Sequence, residues 1–242
     1  MILRLSGPDV LSLLRGVSAT LAISLASIAI GCPLDLGVAL VRWARFPGLA
    51  PVAAIYVSLI RACPAATLGL LLFFTLPMAE ITVDAVTAGI VTLALITSAF
   101  NAEIWRAALL AFPRDQWEAA LAVGMRRGQR FRLIVFPQIL RASLPALFNE
   151  MTYMVKLTPA VAVLGVVDVT RAAVTIRATT YRPLPPFIAA LVIYGVIVFA
   201  FLQAQRRVER SLGAHIVGRR AWWSRRRCWA IRRSRSSRKA PC

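Results

Sequence analysis

The residues of this 242-residue chain that could do chemistry are a few polar and ionisable side chains within or beside long apolar segments. Lys156 lies inside such a segment, and Asn149 precedes it by seven residues, on the same face of a helix. An ionisable group in lipid costs about 2.5–3.5 kcal/mol on insertion scales, so such groups usually face the interior of a helical bundle. Lys156, Asn149 and Thr158 would then line or gate a polar path. Alternatively, the Lys156 side chain extends to the membrane surface or makes a structural contact with a neighbouring helix. The predicted path residues are Arg61, Glu103, Arg106, Asn149, Lys156 and Thr158.

No combination of residues in the sequence indicates a reaction centre. Paired carboxylates, a nucleophile elbow and a cluster of metal ligands are all missing, and the four cysteines do not have CxxC spacing. Neither Lys156 nor Lys239 follows a glycine, so the P-loop pattern that binds nucleotide phosphates is missing as well. We therefore predict that the chain is not an enzyme, has no catalytic residues and holds no metal or cofactor of its own.

The elements that must position these side chains are predicted to be membrane-spanning helices. The chain is 59% apolar and only 16% charged, with a mean hydropathy of +0.70, whereas a soluble domain is about 25% charged. A helix of about 20 apolar residues crosses a bilayer, and backbone groups in lipid must be hydrogen-bonded within the segment. We predict an all-α polytopic membrane protein with about five transmembrane helices, at residues 16–41, 62–79, 85–102, 183–205 and, more weakly, 144–167.

The distribution of arginines predicts how these helices are oriented. Arg42 and Arg45 follow the first span, seven arginines lie between residues 103 and 141, and the C-terminal segment is strongly basic. Basic loops face the cytoplasm, and with five spans these three segments lie on one side. We therefore predict an external N-terminus and a cytoplasmic C-terminus, although three arginines between residues 170 and 183 would then be external.

The long loop from residue 112 to residue 137 is predicted to form two short helices. Pro113 suits the first position of a helix, and Asp115 and Glu118 place acids where the helix dipole favours them. Gly124 allows the backbone reversal that ends this helix. A basic amphipathic helix follows and is expected to break at Pro137. Such a pair either inserts into a groove on a partner protein or lies on the membrane surface.

The spacing within this loop resembles a known signature. Glu118-Ala119-Ala120, three residues, Gly124, nine residues and Ile134-Val135-Phe136-Pro137 resemble the EAA motif of ABC importer permeases, with Phe136 as the one departure. The resemblance to polar amino acid permeases extends from about Leu13 to Leu212. Further matching stretches are Leu14-Arg15-Gly16, Thr20-Leu21, Tyr56 to Pro64, Ala102 to Arg106, Gln116 to Glu118, and positions between Pro137 and Arg171.

This resemblance implies a type I transmembrane domain of an ATP-driven importer in a bacterial inner membrane. It implies a coupling helix from about Asp115 to Val123, with Glu118, Ala119, Ala120, Gly124 and Pro137 as the residues of ATPase coupling. The implied partners are a second permease subunit, two cytoplasmic ATPase subunits that hold ATP and Mg²⁺, and an external solute-binding protein. The implied function is import of polar amino acids.

The chain departs from the family pattern at several positions near the predicted path. Ala62-Cys63 replaces Gly-Thr before Pro64, Leu68 stands where Gln is common, and Leu157 and Pro159 flank Thr158 in place of small or acidic polar residues. These changes leave the solute undetermined. The alternative functions are an ABC importer permease for a different small solute and a stand-alone channel or secondary transporter, although the latter would not explain the EAA spacing.

Three regions are predicted along the chain: a short N-terminal segment (1–12), the transmembrane domain (13–212) and a basic tail rich in Trp and Arg (213–242). Residues 206–242 contain thirteen basic residues and one acidic residue. Interleaved arginines and tryptophans can stack on single-stranded nucleic acid, but anionic lipid also attracts basic residues next to a membrane. We expect the tail to contact membrane lipid rather than nucleic acid.

Overall fold

A computed structural model describes residues 6–234 of the chain, and the side chains of residues 6–210. All of the regular elements in this described range are helical. The α-helices are α1 (Gly7–Trp43), α2 (Leu49–Ala62), α3 (Ala65–Thr75), α4 (Ala85–Leu110), α5 (Arg114–Ala122), α6 (Arg127–Arg130), α7 (Phe136–Val161), α8 (Val169–Thr180) and α9 (Leu184–Ser234). A π-helical segment (Phe131–Val135) joins α6 to α7, and 3₁₀ turns follow α3 (Leu76–Ala79) and α7 (Ala162–Leu164).

The all-α architecture predicted from the sequence is confirmed, with four or five spans. In the part of the chain that the structure describes, four helical segments are long and apolar enough to cross a membrane, namely Gly7–Trp43, Ala85–Leu110, Arg127–Leu164 and Leu184–Arg210. Leu49–Ala62 and Ala65–Ala79 pass the same test only as a pair and are bent by 112° relative to each other. The chain divides into two compact units, one ending at Leu202 and one beginning at Gln203. In the second unit, Gln205 donates a hydrogen bond to Glu209 across one helical turn, at 2.9 Å.

The centre of the first unit is the interface between α1 and α4, which small residues bring close together. A Cβ atom added to Gly31 would lie 2.8 Å from the Cβ of Thr97, so only glycine fits there. The Ser27 hydroxyl lies 2.7 Å from the carbonyl of Ile23 and 3.2 Å from the carbonyl of Ile90 in α4. Without a hydrophobic driving force between helices in lipid, close packing of this kind is what holds spans together.

Helix α8 packs on the N-terminal half of α1 and was not predicted. The N–H of Val169 donates to the Thr20 hydroxyl at 3.4 Å, and a Cβ at Gly16 would lie 2.9 Å from the Val169 Cα. Asp168 caps the helix by accepting from the N–H of Arg171, and it also accepts from the Tyr194 hydroxyl at 3.0 Å. Two residues of the Leu14–Leu21 stretch that resembles amino acid permeases, Gly16 and Thr20, thus build a helix contact.

The second predicted span, residues 62–79, corresponds to α3 and the 3₁₀ turn after it, and a further helix, α2, precedes it. Pro64 is extended (φ −62°, ψ 139°) and starts α3, while α2 before it was not predicted as a helix. Proline disfavours helical backbone at the residue before it and has no N–H to continue the helix. Helix α2 is held to α4 by the Tyr56 hydroxyl, which lies 2.5 Å from the Ser98 Oγ.

The predicted helix break at Pro137 is wrong. Helix α7 begins at Phe136 and continues through Pro145 to Val161. The π-helical segment before it lets the N–H of Phe136 donate to the Phe131 carbonyl, five residues back. This wider turn relieves the clash that the Pro137 ring would make with the carbonyl four residues earlier in an α-helix. Proline therefore sits at the start of a long helix instead of ending one.

Candidate functional site

The EAA segment forms a separate short helix, α5. Pro113 is the extended residue that precedes it, and Asp115 lies in its first turn. Glu118 and Ala119 are exposed, whereas Ala120 is buried on the opposite face. The predicted helix, from about Asp115 to Val123, thus agrees closely with the observed one. It offers a carboxylate and a small methyl side chain on its free surface, where a partner surface could approach closely.

Gly124 ends α5 in a left-handed conformation with φ of +74°. The N–H of Gly124 donates to the Leu121 carbonyl and the N–H of Met125 donates to the Ala120 carbonyl, at 2.9 and 3.2 Å. This pair of bonds is the Schellman motif, which ends helices at a glycine. Nothing lies within 4 Å of a Cβ added to Gly124, so the backbone conformation alone requires glycine there.

Side-chain contacts of Trp117 and Gln116 hold α5 to the rest of the first unit. Trp117 packs edge-on against Trp43, the last residue of α1, with ring centroids 6.2 Å apart. The guanidinium of Arg130 lies over the indole ring of Trp117, 4.5 Å from the ring centroid. Gln138 in α7 donates a hydrogen bond to Gln116 at 2.7 Å. The helix is thereby tied to both α1 and the base of α7, close to Pro137.

Glu103 and Arg106, two predicted path residues, form an ionic cluster near this end of the bundle. Glu103 Oε2 lies 2.6 Å from Arg42 Nη1, and its other oxygen accepts from Arg106 one turn later in α4. All three side chains are partly buried. The cluster connects the last turn of α1 to α4, so these charges satisfy one another.

The other predicted path residues are divided among different surfaces. Asn149 and Lys156 are exposed, and Tyr153 between them is 48% exposed, so the three form one polar stripe along α7. Thr158 is buried and donates to the Val155 carbonyl at 2.9 Å. Arg61 is exposed at the end of α2, and its guanidinium lies 5.1 Å from the ring centroid of Phe100. The structure therefore unites Asn149 with Lys156 but does not gather all six residues.

Asp35 and Asn101 are buried polar residues that are absent from the predicted site. Asp35 is 1% exposed and accepts from the indole N–H of Trp105 at 3.0 Å, while its second oxygen has no hydrogen-bond partner within the described range. Asn101, also fully buried, interacts with Asp35 through its side chain, but its polar atoms make no hydrogen bond of normal geometry within the described residues. The signal in the sequence was a lone acid within an apolar span. In the described residues, no three His, Cys, Asp or Glu side chains converge where a metal ion could bind.

Comparison with known proteins gives a family match and full-length relatives. Residues 36–214 match the family described as "Binding-protein-dependent transport system inner membrane component". The arginine transport system permease protein ArtQ of Bacillus subtilis (strain 168) is 32% identical over 206 residues, covering 85% of this chain and 94% of that protein. The glutamine transport system permease protein GlnP of Escherichia coli (strain K12) is 33% identical over 210 residues, with the same coverage.

Solved structures resemble the fold as well. A crystal structure of an amino acid ABC transporter with histidines contains a chain that superposes with a TM-score of 0.77 at 34% identity, covering 83% of this chain and 94% of that one. An inward-facing MetNI methionine ABC transporter gives a TM-score of 0.74 at 23% identity, covering 86% of this chain and 99% of that one. At that identity the second similarity supports the fold alone.

Proposed function

The chain belongs to the family of binding-protein-dependent transport system inner membrane components, and on this basis we propose that it is the membrane-spanning subunit of an ATP-driven importer of polar amino acids. The observation that carries the proposal is α5, a short helix that exposes Glu118 and Ala119 and ends at Gly124. This helix is the EAA segment. The relatives of the chain, ArtQ and GlnP, are permease proteins of arginine and glutamine transport systems. The family is not itself catalytic, so the energy must come from another chain.

In the proposed assembly, α5 is the coupling helix that receives movement from an ATPase subunit. Glu118 would pair with a basic group of the ATPase, and the small exposed side chain of Ala119 would permit close seating there. Ala120, which is buried within this chain, would instead let α5 lie close to its own bundle. Gly124 and Pro137 would fix the direction of the following helix. The complete importer would contain two permease subunits, two cytoplasmic ATPases that bind ATP and Mg²⁺, and an external solute-binding protein.

Transport by the reconstituted complex tests the coupling role. We expect Glu118→Arg and Gly124→Val each to lower amino acid uptake by at least about tenfold, since each removes a contact or a conformation that the coupling needs. Two matched controls are available: Glu80→Arg reverses an exposed acid outside α5, and Gly128→Val places a side chain in open space. Undiminished uptake in both α5 variants would overturn the proposal. A panel of amino acids in the same assay identifies the solute.

The polar stripe of Asn149 and Lys156 is the proposed lining of the translocation path, with Thr158, Arg61, Glu103 and Arg106 as further members. The support is that the first two side chains remain exposed on one face of a spanning helix, where a charge is costly unless it serves a polar surface. A Lys156→Met transporter with unchanged uptake and solute preference would remove Lys156 from the path. An Arg177→Met variant, which removes an exposed charge from α8, is the control.

We propose that the N-terminus is external and that the C-terminal tail is cytoplasmic, as the arginine distribution predicts. Accessibility of a protease site added at either end, in sealed right-side-out vesicles, tests this orientation. The side chains of the tail (213–242) lie outside the described residues. We propose that this tail contacts anionic lipid, and a chain truncated after Leu212 that inserts and transports normally would show that the tail is dispensable.

A further inference from the structure

Arg130 is buried in an environment that satisfies little of its hydrogen-bonding capacity. It is 5% exposed, and its Nε and Nη1 atoms have no hydrogen-bond partner within the described residues. No carboxylate in the described part of the chain forms an ion pair with it. Burying a guanidinium in this way disfavours folding. A role confined to stability therefore does not account for an arginine at this position.

Among the described residues, the guanidinium of Arg130 makes a cation–π contact with α5. It lies 4.5 Å from the ring centroid of Trp117, a cation–π distance. The same indole meets the ring of Trp43 at 6.2 Å, and Trp43 meets Phe131, the residue after Arg130, also at 6.2 Å. These four side chains, which we name the tryptophan clasp, join α5, the end of α1 and the segment of α6 and π-helix that leads into α7.

We propose that Arg130 is a positioning residue that holds Trp117 in the tryptophan clasp, so that a displacement of α5 is passed to α1 through Trp43. This inference rests on the proposed function, because it takes α5 to be the helix that an ATPase moves. It adds the route by which the movement enters the bundle: a rigid aromatic contact at the end of α1. The exposed acid Glu118 would bind the ATPase, and the neighbouring Trp117 would transmit its motion.

Because Arg130 is buried with unpaired donors, a positioning role and a structural role predict different effects of its replacement on stability. Arg130→Met keeps much of the packing volume but removes the unpaired donors, so the thermal stability of the complex should stay the same or rise. The same change leaves Trp117 without its cation, and we expect uptake and binding-protein-stimulated ATP hydrolysis to fall by about tenfold. Basal ATP hydrolysis and co-purification of the ATPase should change by less than about twofold, because Glu118 is intact.

The experiment uses the complete importer in lipid vesicles, with Arg130→Lys and Arg127→Met as companions. Lysine keeps a cation over the indole and should retain most of the stimulated activity, and Arg127, an exposed arginine three residues earlier, is the matched control. Unchanged stimulated activity in Arg130→Met would overturn the inference. So would a loss of basal and stimulated activity together with a lower melting temperature, which would mark Arg130 as structural only.

A double-mutant cycle between Trp43 and Trp117 provides a second measurement. If movement passes through their contact, Trp43→Leu and Trp117→Leu each uncouple hydrolysis from uptake, and the double variant is no worse than the more severe single one. Losses that multiply would show that the two residues act independently, against the inference. If the wild-type complex does not couple ATP hydrolysis to uptake, the proposed function itself is refuted. The results with these variants test only the role of the tryptophan clasp.

Discussion

Arg42 at the end of α1 and Glu103 in α4 are joined by an ion pair of 2.6 Å between Nη1 and Oε2. The pair lies at the end of the bundle where Trp43 meets α5. Because α1 and α4 form the central interface of the first unit, this pair fixes the helix ends on which the coupling helix rests. The charged residues that the sequence suggested for a solute path thus have an evident structural task as well.

Replacing Glu103 by Gln should destabilise the complex modestly. The change leaves Arg42 and Arg106 without their shared carboxylate, and a partly exposed ion pair of this kind contributes about 1 kcal/mol at most. For a chain of this size the melting temperature should fall by about 2–4 °C, measured by thermal aggregation of the purified complex. Glu80→Gln is the control, since Glu80 is exposed. A variant as stable as the wild type would show that the pair contributes nothing measurable.

Replacing Gly31 by Ala should separate α1 from α4. The new methyl carbon would lie 2.8 Å from the Thr97 Cβ and 3.1 Å from the Ala94 carbonyl, and such overpacking costs about 1–3 kcal/mol. We expect a lower melting temperature and less folded protein in detergent. Gly37→Ala, on the same helix but in open space, should be neutral or stabilising because alanine favours helix. Equal stabilities of the two variants would contradict the packing argument.

Local signals explain why the sequence predicted some parts of the fold and not others. The bounds of α5 follow from Pro113, Asp115 and Gly124, which act within a few residues of the helix they limit. Helices α2 and α8 were missed because, at 14 and 12 residues, neither is long enough to be identified as a span. Their burial depends on distant partners such as Ser98 and Thr20.

The same distinction applies to the candidate site. Pro113, the acids Asp115 and Glu118, and Gly124 predicted a short helix ended by glycine, because caps and turns are local. The clasp around Trp117 could not be predicted, since Trp43 is 74 positions away in the sequence and Arg130 belongs to another helix. Pro137 was misjudged for a related reason: only the π-helical segment before it makes a proline acceptable there.

The stability that Asp84 gives to the first turn of α4 should depend on pH. Hydrogen bonds from the Thr87 side chain, and from the N–H groups of Thr87 and Val86, lower the pKa of Asp84 below its usual value. Because the folded pKa is the lower one, the cap stabilises α4 above the unfolded value of about 4 and is lost as the pH falls through the folded pKa. Asp84→Ala should lower the melting temperature at pH 7, and the difference from the wild type should shrink towards pH 3. A difference that is constant with pH would contradict this account.

Asp35 and Trp105 should behave as one unit in the α1–α4 interface. Asp35→Ala leaves the indole N–H of Trp105 buried without its acceptor, which costs about 1–3 kcal/mol, whereas Asp35→Asn keeps an oxygen at that position. We therefore expect the melting temperature to fall clearly for the alanine variant and little for the asparagine variant. Trp105→Phe removes the donor, so Asp35→Ala should cost less in that background than in the wild type. Equal costs in both backgrounds would show that the 3.0 Å hydrogen bond between Trp105 and Asp35 does not account for the destabilisation.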